Sequence, residues 1–101
     1  MWILAMFDLP TATKEHKRAY RTFRNVLLND GFMALQYSVY ARPCPSLENA
    51  EVHYKRIKEA IPPSGEVRII LFTDKQFGNM KVFFGGRKTY PEPAPQMVLM
   101  L

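Results

Sequence analysis

Asp8 is the first charged residue of the chain, and it closes the apolar run Trp2-Ile3-Leu4-Ala5-Met6-Phe7 immediately before Leu9-Pro10. Such a run is too short to span a membrane and suits a strand buried on both faces. Pro10 has no N–H to give to a ladder and ends the strand. A carboxylate at the mouth of a buried strand, held by a stiff turn, is well placed to ligate a divalent metal. Asp also serves as a plain turn residue, bonding the backbone two residues on. Spacing alone favours the turn and leaves the metal ligand open.

A second group able to do chemistry follows at once. Lys14, Lys17, Arg18, Arg21 and Arg24 recur at helical spacing, with Glu15 the sole acid among residues 14–24. Neighbouring like charges on a helix cost a few tenths of a kcal/mol per pair. A solvated face is the ordinary reading of a charge run, but unrelieved repulsion of this kind is what bound phosphates would neutralise. Other candidates are weaker. The lone Cys44 lies between Pro43 and Pro45 with no base beside it, so it reads as a small loop residue. There is no Cys/His cluster at zinc spacing. His16 falls on the core-facing stripe of its helix and His53 beside that of the next, so neither is a ready general base.

These groups must be positioned by the surrounding elements. Thr11 to Asp30 reads as a helix capped by Thr11 or Thr13 and ended by Gly31, with His16, Tyr20, Phe23 and Leu27 facing a sheet. Residues 32–42 are rich in β-formers and read as strand, broken by a bend or bulge near Gln36–Ser38. Ser46 caps a second helix to about Ala60, with Ala50, Tyr54, Ile57 and Ile61 buried and Pro62-Pro63 ending it. Its outer face, with Lys55, Arg56 and Lys58 beside Glu51 and Glu59, is mixed in charge. Val67 to Thr73 is expected as a central strand covered on both faces. Residues 73–79 read as a turn or single helical loop, and Met80 to Phe84 as a shorter strand. The order suits an α+β fold of the ferredoxin-like kind, an antiparallel sheet with two helices on one face. The domain spans residues 1–86. Residues 87–101 hold a proline-rich spacer and an apolar C-terminal strand, Met97 to Leu101. That strand needs a sheet edge. Exchange with a second subunit is one low-cost solution, and folding back onto its own sheet is the other.

Composition bounds the rest. The chain has 101 residues, 48% hydrophobic, and a net charge of +5. That is one globular domain with a bias toward a polyanion partner. No basic region precedes the N-terminal apolar run and no small-residue cleavage site follows it, so a cytoplasmic protein is expected.

Phe7-Asp8-Leu9-Pro10, the basic first helix, Gly31-Phe32 and Gln36-Tyr37-Ser38-Val39-Tyr40 together resemble the CRISPR-associated protein two family. Ile61-Pro62-Pro63 with Gly65, and Thr73-Asp74-Lys75-Gln76-Phe77, are similar to its variants in type II loci. The resemblance covers nearly the whole chain. It implies a ferredoxin-like homodimer that binds duplex DNA and joins the integrase subunit, CRISPR-associated protein one, in inserting new spacers. It also implies metal-dependent nuclease activity on RNA or DNA for some members. The family's metal-binding aspartate matches Asp8, and the serine of its Gln-x-Ser-Val segment matches Ser38, carried over as a site neighbour. The expected ion is Mg2+, with Mn2+ as a substitute. One carboxylate per chain is a poor magnesium site, but magnesium is held by one or two carboxylates with waters and phosphate oxygens. A two-fold dimer would supply Asp8 twice.

Overall fold

The computed structural model describes residues 1–85, so the spacer and terminal strand expected over 87–101 lie outside the described residues. The elements run β1 (Trp2–Asp8), α1 (Lys14–Asn29), β2 (Met33–Gln36), β3 (Val39–Pro43), α2 (Leu47–Ala60), β4 (Glu66–Phe72) and α3 (Asp74–Gly78). The four strands form one antiparallel sheet in the order β2-β3-β1-β4. This is the ferredoxin-like arrangement expected from the sequence, with one short helix added.

Local chemistry accounts for the helix ends. The Thr13 hydroxyl accepts from the His16 N–H at 3.0 Å, and the Ser46 hydroxyl accepts from the Asn49 N–H at 3.0 Å. At the far end of α1, Gly31 takes φ +90°, a left-handed value that residues with a Cβ rarely adopt, and returns the chain to the sheet. Thr73 and Gln76 form a reciprocal capping box on α3.

Alternation along β1 divides the core. Ile3, Ala5, Phe7 and Leu9 pack toward α1 and α2, against Phe23, Leu27, Ala50 and Ile57. Burying each large apolar side chain of this layer contributes roughly 1.5–3 kcal/mol before entropy is counted. Trp2 and Leu4 face the other way with Ala41 and Phe77, and the Trp2 and Phe77 rings stack at 3.9 Å and 6°. Thus α3 covers the start of β1 on the second face. Beyond it the sheet is open, and Met6, Asp8 and Ile70 are exposed there.

Several expectations need correction, among them the burial of Ile61, which lies at the C-cap of α2 and is 37% exposed. β4 is an edge strand and not a central one, because β1 takes the middle position between β3 and β4, and Ile70 is 50% exposed on the uncovered face of the sheet. Because α3 packs only over its start, β1 is covered on both faces only along its first half. Met80 to Phe84 forms no strand among the described residues. The Met80 N–H bonds back to the Phe77 carbonyl at 3.1 Å, which holds the chain on α3 as it leaves. The bend near Gln36–Ser38 does occur: Tyr37 and Ser38 form the turn between β2 and β3, with a register shift between Ala34 and Gln36.

Candidate metal and nucleic-acid site

Asp8 is exposed at the last position of β1, on the open face of the sheet. Its backbone is clamped from behind by the loop leading into β4. Gly65 sits there at φ +101°, and a Cβ on it would come within 2.8 Å of the Asp8 carbonyl oxygen and 2.7 Å of Leu9 Cδ2. Leu9 is buried and anchors the turn, while Pro10 leads into α1. On the other side the Phe7 N–H bonds to the Ser38 carbonyl at 3.0 Å. Ser38 has φ +61°, and its hydroxyl shares a 2.8 Å hydrogen bond with the Tyr20 hydroxyl. Ser38 therefore ties β1, one residue before Asp8, to the β2–β3 turn and to α1.

The β1–β4 register places Glu66 directly across from Asp8. Cross-strand neighbours have their Cβ atoms about 5 Å apart, so two carboxylates share this end of the sheet. Glu66 is held by Arg68, whose Nε and Nη2 each donate to it at 3.3 Å. That ion pair raises the Arg68 pKa, the hydrogen bonds it donates to Glu66 contributing most. The Asp8 carboxylate has no ion pair or hydrogen bond among the described residues. No group of three His, Cys, Asp or Glu residues gathers among them either. One chain thus offers no closed metal cage. An exposed, unpaired carboxylate does fit an ion that keeps most of its waters and takes the remaining oxygens from phosphate.

Lys14, Lys17, Arg18 and Arg21 are exposed on α1, and none of them forms an ion pair among the described residues. Arg24 differs from the expected pattern. It is half-buried, with its Nε shielded from solvent and lacking a hydrogen-bond partner. The cationic face is therefore four residues long, and it remains uncompensated within the described chain. On α2, by contrast, Arg56 donates to Asp30 Oδ1 at 2.7 Å. His53, buried, donates from Nδ1 to Asp30 Oδ2 at 2.7 Å. Burial pushes the Asp30 carboxyl up, but the bonds and charge of His53 and Arg56 outweigh it, so its pKa is lowered. His16 lies half-buried in a groove of about 220 Å³ with Leu9, Pro10, Ala19, Pro62 and Pro63.

Sequence reasoning missed Glu66, which enters only through the antiparallel register. It also missed the pairing of Asp30 with His53, which are separated by 23 positions.

The family model for CRISPR associated protein Cas2 matches residues 1–80. The chain belongs to the Cas2 family. It is 50% identical over 98 residues to the CRISPR-associated endoribonuclease Cas2 of Parvibaculum lavamentivorans, covering 97% of each chain. It is 45% identical over 100 residues to the protein of the same name from Flavobacterium psychrophilum, covering 98% of this chain and 87% of the other. Among solved structures, Streptococcus pyogenes Cas2 at pH 6.5 superposes with a TM-score of 0.62 at 18% identity, covering 83% of this chain and 100% of that one. That likeness shows the fold. Among the described residues of this Cas2-family chain, no helix is long and apolar enough to cross a membrane.

Proposed function

We propose that two copies of the chain associate through the open face of the sheet, and that the homodimer binds duplex DNA as a CRISPR spacer-acquisition subunit bridging integrase subunits. The carrying observation is the cationic face of α1, with Lys14, Lys17, Arg18 and Arg21 exposed and unpaired among the described residues. Contacts from such a face go to phosphates, so binding is led by charge and shape and carries little sequence preference. Dimerisation is supported by the open face itself. Met6 and Ile70 are exposed there beside half-buried Leu35 and Val39, an apolar surface suited to a second copy. A two-fold axis through this face would bring Asp8 from both copies together. Ile70→Glu should convert the dimer to monomer in sedimentation equilibrium and weaken duplex binding with it. A variant that stays dimeric, or a wild-type chain that is monomeric, would dispose of this arrangement.

The second reading, metal-dependent phosphodiester hydrolysis with Asp8 from each copy, is favoured by the endoribonuclease name that both relatives carry. A bound Mg2+ or Mn2+ would supply a water of lowered pKa and polarise the scissile phosphate. The chain's own contribution is positional: Gly65 and Ser38 fix the backbone around Asp8, and α1 draws the polyanion to it. His53 does not take the place of a general base, since it is buried against Asp30. Asp8→Asn should remove Mg2+- or Mn2+-stimulated cleavage of RNA or DNA while leaving the dimer and duplex affinity intact. Cleavage persisting in that variant would place the chemistry elsewhere.

A further inference from the structure

Tyr37 is 81% exposed at the β2–β3 turn, an unusual setting for so large a ring. It is nonetheless firmly backed. Its ring stacks on Tyr20 at 6.0 Å and 18°. Tyr20 in turn packs on Phe7 at 5.7 Å, and Phe7 packs on Phe23 at 5.1 Å and Tyr40 at 5.7 Å. The outermost ring is therefore the free end of an aromatic column rooted in the core. The turn beneath it is held in its left-handed conformation by the bond between Ser38 and Tyr20. Charge is present too. The Tyr37 pKa is raised, chiefly by the neighbouring Tyr20 hydroxyl, whereas Arg24 nearby acts to lower it. On α1, Lys17 and Arg24 stand one turn before and one turn after Tyr20, and Arg21 follows it directly.

We propose that Tyr37, backed by Tyr20 and flanked by the α1 cations, is a stacking platform for an unpaired nucleobase of a single-stranded segment. This rests on the nucleic-acid reading above and extends it to a ligand that duplex contacts do not require. A buried tyrosine would hide its ring, and a ring in a duplex-tracking surface has no base face to meet. An exposed ring with one face seated and the other open, beside cations that hold phosphates, is the combination by which single strands are bound regardless of sequence. Preorganisation adds to it, since the ring is already ordered by its column and little freedom is lost on binding.

The test uses the full-length wild-type chain in EDTA with short DNA and RNA single strands carrying one 2-aminopurine, and with a blunt duplex as the comparison. Stacking should quench the 2-aminopurine on binding. Tyr37→Ala should lose the quench and weaken single-strand affinity by about fivefold to a hundredfold, leaving duplex affinity within about twofold. Tyr37→Phe should behave as wild type. If the alanine variant misfolds, Tyr37→Leu keeps an apolar cover on Tyr20 without a π face and should show the same loss. The RNA and DNA arms identify which strand supplies the base. Unchanged quench and affinity in the alanine or leucine variant, with duplex binding intact, would overturn the platform and leave duplex binding standing. A wild-type chain that binds neither duplex nor single strand would overturn both. Loss of the dimer with single-strand affinity unchanged would assign Tyr37 to a protein interface and likewise overturn the proposal.

Discussion

The cationic face of α1 makes a quantitative demand on salt dependence. Lys14, Lys17, Arg18 and Arg21 are exposed in each chain and have no acidic partners to release among the described residues. If all of them neutralise phosphates in a dimer, the slope of log K against log salt should be about −7, taking about −0.9 per phosphate. Arg18→Gln with Arg21→Gln removes half of those contacts and should bring the slope to about −3.6. Between 50 and 200 mM salt the wild type should then lose about 10⁴-fold in affinity and the variant only about 10²-fold. Glutamine is preferred to glutamate because it deletes the contact without adding repulsion. Both side chains are at the surface, so stability should move by no more than about 0.5 kcal/mol. The assay is fluorescence anisotropy of a labelled duplex across a salt series, with Lys55→Gln and Lys58→Gln on α2 as the control expected to leave the slope near its wild-type value. A double variant whose slope matches wild type, while remaining folded, would refute the assignment of α1 as the phosphate-binding face.

The remaining predictions concern how the fold holds the site. Asp30→Ala leaves buried His53 without its acceptor and should destabilise the chain by about 2–4 kcal/mol in urea, whereas Arg56→Ala, at a side chain 59% exposed, should cost under about 1 kcal/mol. Equal costs would mean that burial does not set the strength of this network. Because the Asp30 pKa is lowered in the folded chain, its stabilisation is present above the unfolded Asp value of about 4 and is lost as pH falls through the folded value. Asp30→Asn should flatten that acid limb of a stability profile, and a profile of unchanged shape would contradict the sign. Gly65→Ala forces a Cβ against the Asp8 carbonyl and strains a left-handed position. A loss of about 1–3 kcal/mol is expected, together with reduced metal-stimulated cleavage; full stability and activity would show that the clamp is dispensable.

Much of the fold was legible because its signals are local. The apolar run closed by Asp8-Leu9-Pro10, the caps at Thr13 and Ser46 and the stripe of Phe23 and Leu27 each depend on a few neighbouring residues, and each has its counterpart in the structure. The break at Tyr37–Ser38 was readable for the same reason. Strand order was less accessible. An apolar run such as Ile69-Ile70-Leu71-Phe72 looks the same at the centre of a sheet as at an edge with one open face. Periodicity reports how apolar a strand is and not what covers it.

The sequence alone determined which residues carry charge, the caps that open the two long helices, and that a lone carboxylate ends the first strand beside a basic helix. Only the tertiary structure decided that Glu66 stands opposite Asp8, that Asp30 joins His53, and that Tyr37 rests on Tyr20. Those pairings join residues far apart in the chain, and their choice follows from register and core packing, which sum over the whole sheet and leave no mark in any short stretch of residues.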